Sequence, residues 1–118
     1  MMRTLIYNRQ KLFGLYELDD AGLVLYSRIE ADGSESGVRA VADAAGQNYF
    51  DEVAPFENVD EFRLLIANFT RGHRLADSFN FTCRLDDGPL PVRVLLARIR
   101  ERTNGEQLKS ILVHIRKV

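Results

Sequence analysis

The chain has 118 residues, room for one domain with one core and too few for two. Hydrophobic residues make up 46% and charged residues 28%, an ordinary globular balance, and the formal net charge of -1 gives no global field that would draw nucleic acid or an acidic membrane. A single cysteine excludes an internal disulfide and fits a reducing cytoplasm.

No stretch approaches the ~18 consecutive apolar residues of a membrane-spanning helix, and the N-terminus lacks the apolar run of a signal peptide. Residues 1–12 carry mixed charge without a period and read as a flexible lead-in or cap; residues 13–118 read as the domain. Phe13 to Leu18 reads as a strand, Asp19-Asp20-Ala21-Gly22 as a turn, and Leu23 to Ser27 as a second strand closing a hairpin. The polar, glycine-bearing run from Glu30 to Gly37 is a loop. Val38, Val41, Ala42 and Ala45 have the i, i+3, i+4, i+7 spacing of a short helix, with Gly46 as its stop.

The segment from Gly46 to Phe56 is aromatic and apolar, yet Gly46 and Pro55 keep it from being one regular element. Central, irregular, apolar segments often line cavities; a short buried connector without a ligand is the plainer reading. Phe62, Leu65, Ile66 and Phe69 then mark an amphipathic helix. Asn58 with Glu61 has the form of a capping box, Asp60 competes as the cap, and Gly72 ends the helix.

Phe79, Phe81, Cys83 and Leu85 alternate with polar residues in a half-buried strand. Asp86 to Pro89 is a turn, and Pro91 to Arg100 is the next strand. Arg93 is out of phase with Arg98 and Arg100. Either a bulge near Leu95-Leu96 puts all three on the wet face, or both faces are locally buried. Thr103 to Glu106 carries the Asn-Gly hairpin signal, and Ile111, Val113 and Ile115 alternate in the last strand. Hairpin connections make the sheet antiparallel with the helices on one face, and closing it needs the first strand beside the fifth.

Gly46-Gln47-Asn48-Tyr49-Phe50-Asp51-Glu52-Val53-Ala54-Pro55 resembles the central motif of photoactive yellow proteins, a branch of the PAS domains. The similarity runs on through Glu61-Phe62, Gly72, the Phe79-x-Phe81-Thr82 strand, Pro91 to Val94 and the terminal strand. The first hairpin matches only by pattern. The resemblance implies an α+β PAS fold: a five-stranded antiparallel sheet with short helices on one face between strands 2 and 3. It does not bring the family's photochemistry. The residue after Val-Ala-Pro, the chromophore-bearing cysteine of that family, is Phe56 here, and a phenyl ring offers no nucleophile. No tyrosine falls in register to hold a phenolate: Ser27 takes that place, Tyr26 is adjacent, and Glu30 is an unaligned counterpart.

The flavin-photoreceptor cysteine motif is absent. Cys83 reads as a small buried hydrophobe, and His73 and His114 as surface or strand histidines rather than haem ligands. No acid–base pair, metal-ligand spacing or phosphate loop appears, so neither an enzyme nor a cofactor is expected. Two functions remain ahead of a third, a small enzyme on this scaffold, which would need a convergent polar cluster. One is a sensory module binding a small non-covalent ligand, its pocket drawn from Glu30, Arg39, Tyr49, Phe50, Phe56, Phe62, Phe69 and Phe81. The other is a ligand-free dimerisation or docking module, because those rings can fill the pocket. Arg93, Arg98, Arg100 and Leu112 form the candidate partner surface on the outer sheet. A homodimer and a separate output protein are the expected partners, with no nucleic acid and no membrane.

Overall fold

The computed structural model describes residues 12–30, 44–102 and 106–118. The expected helix over 38–45 and the turn over 103–105 fall wholly or mostly outside them, as do residues 1–11 of the lead-in. In chain order come β1 (Gly14–Leu18), β2 (Val24–Ile29), a π-helical turn (Tyr49–Val53), α1 (Val59–Arg71), β3 (Ala76–Leu85), β4 (Gly88–Arg102) and β5 (Glu106–Lys117). The strands form one antiparallel sheet in the order β2-β1-β5-β4-β3, so the first strand does lie beside the last. This is an α+β arrangement with few helices, as the hairpin spacing anticipates.

Alternation builds the sheet. Tyr16, Leu18, Val92, Val94, Leu96, Ile111, Val113 and Ile115 are all buried in one core cluster with Tyr49, Phe56, Phe62, Ile66 and Phe69 of the helical segment. The strands therefore bury one face under that segment, the inner face. The side chains between them point to the outer face.

The β3–β4 hairpin turns through Asp86-Asp87, with Leu85 paired to Gly88. Gly88 has φ +120°, a conformation that L side chains rarely adopt. The phase of β4 does not slip at Leu95-Leu96. Val92, Val94 and Leu96 stay on the inner face, and the register shift lies further on, between Ile99 and Arg100. Arg98 therefore shares the inner face instead of the wet one.

The start of α1 also departs from expectation. Asn58 is the N-cap residue, but its side chain makes no capping bond. It donates instead to Glu61 Oε2 and to the Thr82 carbonyl, both at 2.8 Å, and accepts from the Arg84 amide at 2.9 Å. A buried amide with three partners is satisfied, and here it fastens the helix to β3. Gly72 does end the helix, but in extended backbone, its amide donating to the Asn68 and Phe69 carbonyls.

Candidate functional site

The central segment is held by the first hairpin. Val24 N donates to Gln47 O, Gly46 N to Val24 O and Tyr49 N to Gly22 O, each at 2.8 Å. The Asn48 side chain accepts from the Phe50 and Asp51 amides at 3.0 and 3.2 Å and donates to Ala21 O at 3.1 Å. Glu52 returns the favour, its Oε2 accepting the Asn48 amide at 2.9 Å. This reciprocal arrangement satisfies the orphan amides of a very short helix. The turn closes with Ala54 N donating to Tyr49 O, the i to i+5 bond of a π-helix.

The segment delivers aromatic rings to the interior, where they close on one another. Phe56 packs edge-on to Phe62 with centroids 5.4 Å apart, and both meet Phe81, at 5.8 and 5.2 Å. Tyr49 stacks edge-on to Tyr16 at 4.9 Å and leans on Phe62 at 6.1 Å. Such contacts add to the burial term. Phe56 is 1% exposed, and Phe62 and Tyr49 not at all. None of Tyr49, Phe56, Phe62, Phe69 and Phe81 lines either of the two grooves described below.

Burial raises the phenol pKa values of Tyr16 and Tyr49 well above their usual 10.0, and in Tyr49 the neighbouring Tyr16 and Cys83 push in the same direction. The Cys83 thiol is pushed up to about 12 by burial. It is an inert core group, as its place on the apolar side of β3 suggests. The Tyr49 hydroxyl has no hydrogen-bond partner among the described residues.

The remaining candidates scatter. Glu30 is buried, but its Oε1 lies 3.8 Å from His114 Nε2. His114 pairs with Leu15 and Leu95 on the outer face, so Glu30 does not join the rings around Phe56. Arg39 lies outside the described residues. Tyr26 is 48% exposed and faces no interior group. Phe50 is half-buried over Gly22, with the Arg63 guanidinium 5.0 Å from its ring centroid. A methyl on Gly22 would come within 2.9 Å of the Phe50 ring, and Gly22 has φ +88°, so the hairpin turn needs glycine twice over.

The arginines divide. Arg93 is exposed on the outer face beside Arg116. Arg98 does not belong to that surface: it reaches under the end of α1. Its Nε donates to Arg74 O at 2.6 Å, and its Nη2 donates to the carbonyls of Phe69, Thr70 (3.0 Å) and Gly72 (2.6 Å). Its guanidinium lies 5.0 Å from the Phe69 centroid. A cation there satisfies the orphan carbonyls and opposes the negative end of the helix dipole. Arg100 sits at the β4 register shift, opposite Leu108, and its side chain is outside the described part.

Two grooves remain. The first, of about 380 Å³, lies between α1 and the β1–β2 turn, floored by Leu18, Ile66 and Ile111. The second, of about 550 Å³, is a shallow depression of the outer sheet lined by Leu15, Leu95, Ala97, Leu112 and His114 among others. Sequence reasoning missed the first because its wall comes from four separated segments. It found Leu112 of the second, but not its neighbours Ala97 and His114.

Across the outer face the rows run in order. Arg93 pairs with Arg116; Leu95 with His114, which pairs with Leu15; Ala97 with Leu112, which pairs with Glu17; and Ile99 with Ser110. Ser110 is 1% exposed and its hydroxyl donates to Glu17 Oε2 at 2.6 Å. The face thus has a basic end, an apolar middle and a carboxylate toward the other end.

Among the described residues no three His, Cys, Asp or Glu side chains gather into a metal-binding group. None of their helices is long and apolar enough to cross a membrane. No protein-family model matches the chain, and no curated protein is significantly similar to it.

Proposed function

We propose that the chain is a PAS-type signalling module that acts through its outer sheet face, by pairing with a second copy of itself, and not through a ligand in its interior. The observation that carries this reading is the filled interior: Phe56, Phe62, Phe81 and Tyr49 close on one another where a ligand would sit. The strand order β2-β1-β5-β4-β3, with the helical segment between β2 and β3, supports the PAS-type assignment alongside the motif from Gly46 to Phe56. Phe56 in the attachment position leaves no thiol for a thioester-linked chromophore.

The outer face supports self-association because it is self-complementary. A two-fold axis through the apolar middle sets the Arg93–Arg116 row of one copy against Glu17 of the other and buries Leu15, Leu95 and Leu112 of both. A core of aliphatic side chains with charges at its rim is the usual anatomy of such an interface. An output protein then reads the paired state.

The test is particle mass against concentration by sedimentation. The wild-type chain is expected to dimerise, Leu95→Asp to be a monomer of unchanged fold, and Arg93→Glu to weaken the dimer. Combining Arg93→Glu with Glu17→Arg restores pairing. A wild-type monomer at every concentration overturns the proposal.

A further inference from the structure

We infer that the groove between α1 and the β1–β2 turn binds a small zwitterion with an apolar body, of the size of an amino acid or dipeptide. This site lies apart from the outer sheet face, and its binding does not depend on the dimer reading.

Size and floor come first. About 380 Å³ falls within the roughly 300–1,000 Å³ of small-molecule sites. Leu18 ends β1, where it pairs with Ile111 of β5, and Ile66 comes down from α1. All three are buried, yet each contributes to the groove wall. The apolar surface still open in the groove belongs to half-buried Phe50 and Ala67 beside them, and an apolar body laid there covers it.

The rim charges then select the ligand's ends. Asp19 is occupied: its Oδ1 accepts the Ala21 and Leu23 amides at 2.9 and 2.8 Å and holds the turn. Asp51 is neutralised by Arg63, Oδ1 to Nη2 at 2.8 Å, and Arg63 is further fixed over Phe50. Two charged side chains of the groove remain without an opposite charge among the described residues. Asp20, on the turn, has no hydrogen bond there. Arg71, at the end of α1, bonds only the neutral Asn68 side chain, at 2.5 Å. One carboxylate and one guanidinium on opposite walls match a ligand carrying one ammonium and one carboxylate. A ligand with a single charge satisfies one and crowds the other. Arginine's fork suits a carboxylate, and charge-assisted bonds of this kind are the stronger ones.

The experiment is amide chemical-shift mapping by NMR with L-phenylalanine and L-leucyl-L-leucine as zwitterions. Phenethylamine and 3-phenylpropanoate serve as their single-charge counterparts. At least one zwitterion is expected to shift the amides of Ile66, Thr70 and Gly22. Arg71→Gln and Asp20→Asn, both at exposed positions, are each expected to weaken that binding roughly tenfold. Equal affinity for the amine or the acid alone overturns the zwitterion assignment. No shifts at millimolar zwitterion, or shifts confined to the outer sheet, overturn the site itself.

Discussion

The two faces of the sheet are built by the same alternation and end in opposite states. On the inner face the buried apolar side chains join one cluster with those of the helical segment, and Phe62 and Val113 are fully buried. On the outer face Leu15, Leu95, Ala97 and Leu112 are only half-buried, sheltered by their own sheet neighbours. Period-two patterning sorts side chains onto faces, but it does not supply a cover. The inner cover comes from α1 and the π-helical turn, fastened by Asn58, Asn48 and Arg98. The cover, and the stability it brings, lies on one side of the sheet.

The largest effect expected from that contrast is between Phe62 and Leu112. Phe62→Ala removes a ring touching Phe56, Phe81 and Tyr49, and should cost about 3–5 kcal/mol in denaturant unfolding, the range for deleting a buried aromatic. Leu112→Ala on the outer face should cost well under half of that in the monomer and should show itself in the dimer equilibrium.

Next come the two arginines that the phase of β4 sends to opposite faces. Arg98→Ala strips the end of α1 of its carbonyl partners and should cost about 2–3 kcal/mol, with faster hydrogen exchange over residues 68–72. Arg98→Lys should recover only part, because an ammonium has no planar fork to spread over Phe69 and several carbonyls. Arg93→Ala should leave stability within about 0.5 kcal/mol of wild type, as exposed positions generally do.

Raising the pH attacks the inner face alone. A thiol is neutral when protonated, and burial favours that form in the fold. The unfolded chain begins to release the Cys83 proton near 9.0, whereas the folded chain holds it up to about 12. The stabilisation is therefore present in full below pH 9.0 and is lost as the pH rises toward 12. Tyr16 and Tyr49, also raised, act with the same sign at still higher pH. The denaturation midpoint should fall above pH 9, and Cys83→Ala should flatten the first part of that decline.

One further effect has the opposite sign. Tyr49→Phe removes a buried hydroxyl that has no partner among the described residues, and should raise stability by about 1 kcal/mol in the same unfolding assay. Unchanged or lowered stability would show that the hydroxyl is satisfied after all.

Local physics made much of this chain legible from its residues. Turn residues and apolar runs placed β1 and β2, and the 2.0 and 3.6 periods placed β3 and α1 to within a few residues of their observed bounds. Gly22 and Gly88 marked turns because both take positive φ. Cys83 read correctly as a core group because its strand neighbours alternate. A phenyl ring at position 56 offers no nucleophile, a point the residue type carries without any coordinates.

What only the tertiary structure decided is where polar side chains find partners far along the chain. Arg98 reads as a wet arginine by type, yet it bonds Phe69 O, twenty-nine residues away. Asn58 reads as a cap and instead joins α1 to β3. Glu30 reads as a pocket acid and lies beside His114 across the sheet from the rings. The groove at Asp20 and Arg71 exists because a turn, a helix end, the end of β1 and the middle of β5 meet in space. A sequence period fixes which way a side chain points from its own element. Which distant carbonyl or charge waits there depends on how the elements are docked, and that is a property of the whole packed core.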